Sequence, residues 1–274
     1  MRLATTCAGG GAWSQSRRIA RMLGNHLQRS DEAFTPPSNI GPNGGLFGQT
    51  RFLARQIFDL QVFTVVNDCS PWLRERRGML LEVGCGDQPY RHFVGKSCKY
   101  VGLDIAHGNT TFGTGNVAGI AHYAGGIFPY SDCVFDSVFH TETLEHVIEP
   151  ADFLRECARV LRPGGETLFT VPFQARFHYI PFDYWRFTPT ALELLVRRAG
   201  FDGVRVDARG TDIVVACAKI LGVCYRLCVD RLVLILLLGP VIAITIILAH
   251  TMLLIGLGSR NDCLGYTVRA KKRI

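Results

Sequence analysis

The sequence predicts an α/β fold in which a mostly parallel sheet is covered by helices on both faces. Short apolar runs with the length and composition of strands lie at residues 79–83, 100–105, 135–140, 166–171 and 204–208. Helical apolar spacing lies between them, at residues 150–161 and 190–199. The first strand runs directly into a Gly-x-Gly turn. Strands that alternate with helices in this way are typical of parallel sheets.

Basic residues are concentrated at the two ends of the chain, which has 274 residues and a net charge of +7. They are Arg2, Arg17, Arg18, Arg21 and Arg29 at the start and Arg269, Lys271, Lys272 and Arg273 at the end. An anionic membrane surface suits this pattern at least as well as nucleic acid, and solvated tails that bind nothing are the alternative. RNA as a substrate is disfavoured, because no basic stripe interleaved with aromatic residues lies in the central region.

Residues 1–50 predict a flexible basic leader, because they are rich in Gly, Ser, Asn, Pro and Arg. A short amphipathic helix fits residues 14–28, and an organellar transit peptide is an alternative. Residues 51–77 predict one or two amphipathic helices broken at Pro71. The ten cysteines form no Cys-x-x-Cys pair and residues 1–30 hold no sustained apolar run, so we expect reduced thiols in a protein that faces the cytosol.

The turn Gly84-Cys85-Gly86 is the first candidate ligand site. Glycines permit a tight turn and close approach of the backbone to a ligand. Asp104 ends the next strand, and a carboxylate there can accept hydrogen bonds from both hydroxyls of a ribose, a loop-capping role being the alternative. Pro89 stands where the dinucleotide fingerprint has its third glycine, which argues against a nicotinamide cofactor.

Five motifs follow one another within residues 78–207. They are Glu82-Val83-Gly84-Cys85-Gly86, Asp104, Phe128-Pro129-Tyr130-Ser131-Asp132 with Phe135-Asp136-Ser137-Val138, Leu144-Glu145-His146-Val147, and Arg159-Val160-Leu161-Arg162-Pro163-Gly164-Gly165. This ordered series resembles the class I S-adenosylmethionine-dependent methyltransferases of the type 11 group. The resemblance implies a Rossmann-like, doubly wound, mostly parallel sheet of seven strands.

The resemblance also implies where S-adenosylmethionine binds. Glu82, Gly84, Cys85 and Gly86 would line its methionine end, Asp104 would hold the ribose, and His140 and Thr141 would lie along the cofactor. Relatives with a Tyr-Asp-Gly motif use its Asp to place the adenine. This chain has Ala124 at that position, so we expect that contact to be lost.

Glu142, Glu145 and His146 form the most prominent cluster of titratable residues. If a helix begins there, their spacing places all three on one face. The pattern resembles the Glu-x-x-Glu-His of ubiquinone-pathway O-methyltransferases and of small-RNA 3′-terminal ribose methyltransferases. Three interpretations stay open: packing of the helix start, which is favoured, His146 as a general base, and a weak site for a divalent metal. We otherwise expect no metal.

Residues 178–188 follow the strand predicted at 166–171. Ligands bind beyond the carboxyl ends of parallel strands, so this loop is expected to cover the substrate. His178 is the first candidate for a general base, and Asp183, Tyr184 and Arg186 are candidates for substrate contacts. Similar segments occur in methyltransferases encoded among polysaccharide and glycolipid genes. A purely structural lid is the alternative.

An apolar run without Asp, Glu, Lys or Arg spans residues 232–259 and is long enough to cross a bilayer. We expect residues 221–259 to form a membrane-associated helical segment inserted before the last strand. Gly239-Pro240 is expected to break the helix. Residues 264–272 resemble the last strand of the sheet, which would lie beside a strand at 211–218. Both ends of the run would then lie on one side of the membrane, which favours a shallow hairpin bent at Gly239-Pro240 over a single span.

These observations predict a leader at 1–50, a methyltransferase domain at 51–220, a membrane segment at 221–259, and a final strand with a basic tail at 260–274. The leading hypothesis is a membrane-associated enzyme that faces the cytoplasm and methylates a hydroxyl of a lipid-linked or glycan acceptor. A ubiquinone-type small-molecule O-methyltransferase is the alternative within the enzyme class. A non-catalytic membrane adaptor that has kept the fold is the alternative outside it.

Overall fold

The computed structural model describes residues 34, 36, 41–42, 45–106, 108, 112 and 119–274. The basic leader predicted at 1–50 and its short amphipathic helix lie almost entirely outside the described residues. Residues 45–50 are an exception, because they belong to the first described helix and not to a flexible leader.

Seven strands form one sheet in the order β3-β2-β1-β4-β5-β7-β6. The strands are β1 (Gly78–Val83), β2 (Cys98–Ile105), β3 (Ile120–Tyr123), β4 (Phe135–Thr141), β5 (Leu161–Pro172), β6 (Phe201–Arg209) and β7 (Gly265–Lys272). Pairing is parallel from β3 through β5, and β7 is antiparallel to both of its neighbours. The predicted mostly parallel seven-stranded sheet is confirmed.

Six helices accompany the sheet in the described part of the chain. They are α1 (Gly45–Phe58), α2 (Leu60–Glu75), α3 (Pro150–Val160), α4 (Pro189–Arg198), α5 (Asp212–Asp230) and α6 (Ile235–Ile255). One apolar core contains side chains of α3 and α4, and a second contains side chains of α1 and α2. Both cores include strand residues, so the sheet buries apolar surface on each side.

The predicted helix break at Pro71 is wrong, because Pro71 lies inside α2. The break falls instead at Asp59, between α1 and α2. The Asp59 carboxylate accepts hydrogen bonds from the amides of Gln61 (3.1 Å) and Val62 (3.3 Å) and so starts a new helix. The helix continues past Pro71, where Cys69 and Leu73 on either side of it are buried in the core.

The region predicted as a strand at residues 211–218 is a helix. It forms the beginning of α5, so the domain boundary expected at residue 220 falls inside a continuous helix. β7 lies between β5 and β6, and the last residue of β6, Arg209, pairs with Gly265. Short buried apolar runs fit a strand and a helix equally well, which explains the wrong prediction.

α5 and α6 form a helical hairpin whose two ends meet at one edge of the sheet. The Asp212 amide donates to the carbonyl of Ser259 (3.0 Å), and the Thr211 hydroxyl donates to the carbonyl of Leu257 (2.9 Å). The turn lies at Arg231, where the backbone is extended. The bend predicted at Gly239-Pro240 is wrong, because Pro240 is the sixth residue of the continuous helix α6.

The hairpin exposes a large apolar surface. Leu232–Ile255 is the one helical stretch of the described residues that is long and apolar enough to cross a membrane, and 11% of its 18-residue window is buried. At about 1.5 Å per residue, the 21 residues of α6 are about 31 Å long. The exposed side chains include Leu232, Val233, Leu236, Leu237, Ile244, Ile247 and Leu254.

Arg209 is a buried arginine that joins the end of β6 to three neighbouring elements. Its guanidinium donates to the Glu142 carboxylate (2.7 Å), to the carbonyl of Val171 (3.1 Å) and to the hydroxyl of Thr64 (3.2 Å). The Arg209 side chain is fully buried, whereas Glu142 is 31% exposed. These bonds connect β6 with α2, with the end of β5 and with the loop after β4.

We expect Arg209→Met to lower the free energy of unfolding by about 2–3 kcal/mol, because the Glu142 carboxylate and the Val171 carbonyl lose a charged donor. Arg205→Met on the same strand is the matched control, since Arg205 is 73% exposed, and it should change stability by less than about 0.5 kcal/mol. Thermal unfolding of the detergent-solubilised variants measures both effects. Equal shifts for the two variants would contradict a structural role for Arg209.

Candidate functional site

The glycine turn and Asp104 lie together at the carboxyl ends of β1 and β2. The Gly84 amide donates to the carbonyl of Leu103 (2.8 Å), and the Gly86 amide donates to the Asp104 carboxylate (2.9 Å). Gly84 has φ +67°, and a Cβ atom there would lie 2.6 Å from the side chain of Thr143. Glycine is therefore required at residue 84 by both backbone conformation and space.

Two buried carboxylates stand beside this turn. Tyr100 donates its hydroxyl hydrogen to Glu82, and burial raises the pKa of Glu82 to about 8. Burial also raises the pKa of Asp104, although the amides of Ile105 and Gly86 oppose that shift by donating to its carboxylate. Desolvation penalises the charged form, so these carboxylates ionise less readily than exposed ones.

A cleft of about 1800 Å³ runs past the turn along the carboxyl edge of the sheet. Its wall includes Glu82, Gly84, Cys85, Gly86, Asp104, Ala124, Thr141, Glu142, His146, His178 and Tyr184. The cleft thus brings the expected cofactor-binding residues, with the exception of His140, into one site with both candidate bases.

His140 is not a wall residue, contrary to expectation. It is fully buried in the core, stacked on Phe169 with ring centroids 4.5 Å apart and in edge contact with Phe153 at 5.1 Å. Burial lowers the pKa of His140 to about 3, so the ring is neutral at ordinary pH. Side chains of a strand alternate between the two faces, and His140 points into the core while Thr141 reaches the cleft.

Glu142, Glu145 and His146 do not share a helical face, contrary to the spacing argument. Leu144–His146 is only a short 3-10 turn, and Glu142 precedes it with φ +45°. The Glu142 carboxylate pairs with Arg209. The structure instead groups Glu145 and His146 with His178 from the loop after β5. Glu145 Oε1 lies 3.6 Å from His146 Nε2 and 3.9 Å from His178 Nε2.

Burial shifts the pKa values of both Glu145 and His146 toward their neutral forms. Burial raises the pKa of Glu145 well above its ordinary range, and the nearby Glu142 raises it further. Burial and the neighbouring His178 lower the pKa of His146 to about 4. His146 is therefore neutral at pH 7 and offers a lone pair rather than a positive charge.

Asp183 and Arg186 support His178 and are not among the residues that line the cleft, and their contact with substrate stays a prediction. Arg186 donates to both carboxylate oxygens of Asp183 at 2.6 and 2.8 Å. Asp183 accepts from the His178 amide (3.1 Å), and the side-chain hydrogen bonds from His178 and Arg186 hold its pKa well below its usual range against the effect of burial. Tyr184 does line the cleft, and its amide donates to the carbonyl of Glu145 (2.9 Å).

Sequence reasoning missed that α5 contributes to the cleft. Ala218, Leu221, Gly222, Tyr225 and Val229 line it from the first helix of the hairpin. The apolar pattern of this region predicted burial in a strand or contact with a membrane, and neither interpretation placed it beside the carboxyl ends of the strands. Tyr100 and Arg209 were also missed, because a single tyrosine or arginine carries no spacing signal.

Comparison with known proteins identifies the central region. Residues 81–169 match the methyltransferase domain family of type 11. That stretch holds the glycine turn, Asp104 and the turn with Glu145 and His146. Residues 81–169 are therefore similar in sequence to methyltransferase domains. A probable S-adenosylmethionine-dependent methyltransferase of Mycolicibacterium smegmatis is 30% identical over 135 residues, which are 45% of this chain and 51% of that protein.

Relatives of known activity resemble parts of the chain. A fatty-acid O-methyltransferase of Mycolicibacterium smegmatis is 35% identical over 143 residues, which are 48% of this chain and 51% of that protein. The chain thus matches about half the length of that relative. A ubiquinone biosynthesis O-methyltransferase of Caulobacter vibrioides is 55% identical over 31 residues, 11% of this chain and 12% of that protein. The crystal structure of the 4+2 cyclase SpnF has a TM-score of 0.51 over 94% of this chain and 97% of that one, at 18% identity, and shows likeness of fold alone.

We expect the stability of the methyltransferase domain to fall with rising pH through Glu82. Its folded pKa of about 8 lies above its ordinary value of 4.5, so the stability due to the neutral carboxyl is full below about pH 4.5 and is lost as pH rises through about 8. The slope reaches at most about 1.4 kcal/mol per pH unit. Unfolding measured from pH 5 to 9 should show this fall in the native protein and not in Glu82→Gln.

Glu75→Gln is the matched control for this measurement, since the Glu75 side chain is 75% exposed. Its stability should follow the native curve at every pH. Parallel curves for the native protein and Glu82→Gln would contradict the buried, neutral state of Glu82.

Proposed function

We propose that this protein is an S-adenosylmethionine-dependent methyltransferase that methylates an oxygen atom of a lipid acceptor at a membrane surface. One observation carries the proposal. The cleft that contains Asp104 and the imidazoles of His146 and His178 continues along α5, the first helix of the apolar hairpin. An acceptor held by the hairpin surface would therefore have a continuous path to the cofactor end of the cleft.

The residues around the glycine turn fit S-adenosylmethionine. Asp104 offers free lone pairs beside the two that accept from Gly86 and Ile105, as the holding of two ribose hydroxyls requires. A Cβ atom at Gly125 or Gly126 would meet no atom within 4 Å, so the wall beside Ala124 leaves open space. When bound, S-adenosylmethionine supplies a methyl group already activated on its sulfonium.

The protein's own contribution lies in position and in activation of the acceptor oxygen. We assign activation to the group of Glu145, His146 and His178, and the role of His178 or His146 as a general base stays a prediction. Tyr184 is a candidate for an acceptor contact, since it lines the cleft and its buried hydroxyl has no partner among the described residues. The glycine turn and Asp104 hold the methyl donor at the other end.

The hairpin supports a lipid acceptor in preference to a soluble one. Both ends of the hairpin lie at the edge of the sheet where the cleft opens. The exposed apolar side chains of the hairpin can enter one leaflet of a bilayer without crossing the membrane. Arg226, Arg231 and Arg260 flank the apolar run, as attraction to anionic headgroups requires. The fatty-acid O-methyltransferase among the relatives supports an acceptor with a long apolar chain.

We expect Asp104→Asn to weaken the binding of S-adenosylhomocysteine by at least about fivefold, because hydrogen bonds to a charged acceptor contribute about 1 kcal/mol or more beyond those to a neutral one. Calorimetric titration of the full chain in detergent measures the affinity. Asp202→Asn, an exposed carboxylate on β6, should bind like the native protein. Unchanged affinity in Asp104→Asn would remove the ribose assignment, and no binding to folded native protein would favour the adaptor.

We expect the double variant Leu236→Asp, Leu237→Asp to lose membrane binding. Two buried leucines contribute about 3–6 kcal/mol, so partition into vesicles with anionic lipid should fall by at least about a hundredfold. Flotation of the protein with the vesicles measures partition, and Leu194→Asp, an exposed leucine of α4, is the control. Equal flotation of all three proteins would exclude the tip of the hairpin as the membrane contact.

A further inference from the structure

One carboxylate and two imidazoles meet in a buried corner of the cleft. The oxygen and nitrogen atoms that Glu145, His146 and His178 offer all lie within 4.8 Å of one another. Glu145 is fully buried, and neither of its carboxylate oxygens has a hydrogen-bond partner among the described residues. A buried polar group without a partner is unfavourable, so an occupant that satisfies it is expected.

In each imidazole, the hydrogen bond at Nδ1 determines whether Nε2 is available to bind an ion. His146 Nδ1 lies 2.8 Å from the carbonyl of Phe182, and His178 Nδ1 lies 3.0 Å from the carbonyl of Arg176. A carbonyl only accepts hydrogen bonds, so each Nδ1 carries a hydrogen and Nε2 is the ring nitrogen left to bind an ion. Both Nε2 atoms lie within 4 Å of Glu145 Oε1, so three potential ligand atoms surround one point.

We propose that Glu145, His146 and His178 bind a divalent first-row transition-metal ion at this point. Ligand atoms bound at about 2.0–2.2 Å to a common ion lie about 3 to 3.5 Å apart. The separations of 3.6 and 3.9 Å from Glu145 Oε1 to the two Nε2 atoms require only a small contraction. Carbonyl or carboxylate acceptors on the far nitrogen of each ring are also the usual support of metal-binding histidines.

The ligand set selects the kind of ion. Two imidazoles and one carboxylate suit Zn²⁺, Mn²⁺, Fe²⁺ or Co²⁺ better than Mg²⁺ or Ca²⁺, which prefer oxygen ligands alone. Glu142 is not part of the set, because its carboxylate pairs with Arg209. Three protein ligands leave coordination positions open, and His146 and His178 present them to the cleft.

The role of the ion rests on the proposed function. An ion at this point would orient an acceptor oxygen and make its hydroxyl more acidic, so the imidazoles would act through the ion and would not take the proton themselves. The metal site itself can be tested without methyl transfer, because binding is measured directly.

The test is calorimetric titration of Zn²⁺, and separately Mg²⁺, into the full chain in detergent after treatment with EDTA. We expect one equivalent of Zn²⁺ to bind, His178→Gln and Glu145→Gln to weaken binding at least tenfold, and Mg²⁺ to bind at least tenfold more weakly than Zn²⁺. The visible absorption of added Co²⁺ should appear in the native protein and be absent from both variants. His122→Gln, at an exposed histidine of β3, should bind Zn²⁺ like the native protein.

Two results would overturn the proposal. One is the absence of stoichiometric Zn²⁺ binding to folded native protein, and the other is unchanged binding in His178→Gln. If Glu145→Gln fails to fold, His178→Gln and the Co²⁺ spectrum still decide. S-adenosylhomocysteine titrated into the same EDTA-treated protein reports on the cofactor site independently, so loss of the metal site and loss of the methyltransferase assignment give different results.

Discussion

The contact of Arg209 with Gly265 is the constraint on which the rest of the structure depends. These residues end β6 and begin β7, and they pair directly. A Cβ atom at Gly265 would lie 2.3 Å from the guanidinium of Arg209 and 2.4 Å from the carbonyl of Val171, so three strands approach more closely than any side chain at residue 265 permits. Everything between these residues must leave the sheet and return to the same point. The helical hairpin of α5 and α6 satisfies that requirement.

Three buried carboxyl groups of the site, those of Glu82, Asp104 and Glu145, lie at the same edge of the sheet. They differ in how many hydrogen-bond donors the chain supplies to them. Glu82 accepts a hydrogen bond from the hydroxyl of Tyr100, and Asp104 accepts hydrogen bonds from the amides of Gly86 and Ile105. Glu145 receives no donor among the described residues. Desolvation penalises a buried charge that has no partner. The fold itself supplies donors to Glu82 and Asp104, whereas Glu145 would need a ligand to satisfy its carboxylate oxygens.

The sequence predicted most of the sheet because β1, β2, β4 and β5 each contain an apolar run, whereas the four-residue strand β3 (Ile120–Tyr123) was not predicted. The glycine turn and Asp104 could be predicted to lie together because each follows a strand. The carboxyl ends of neighbouring parallel strands meet, whatever residues lie between the strands. The strand wrongly predicted at residues 211–218 and the wrong bend at Gly239-Pro240 share a cause, since an apolar run is compatible with more than one secondary structure until its neighbours are known. His178 beside Glu145, Asp183 beside Arg186, and Glu142 beside Arg209 depend on side-chain direction, which spacing along the chain does not encode.

The direct pairing of Arg209 with Gly265 makes the 55 residues 210–264 an insertion whose ends coincide. The entropic cost of closing a loop rises only logarithmically, by about 0.6 kcal/mol for each doubling of length, so lengthening a four-residue connection to this size costs about 2–3 kcal/mol. Burial of Val214, Leu221, Ile246 and Leu264 in a shared cluster offsets that cost. A sheet of this kind can therefore acquire a new appendage in one step without disturbing the register of any strand.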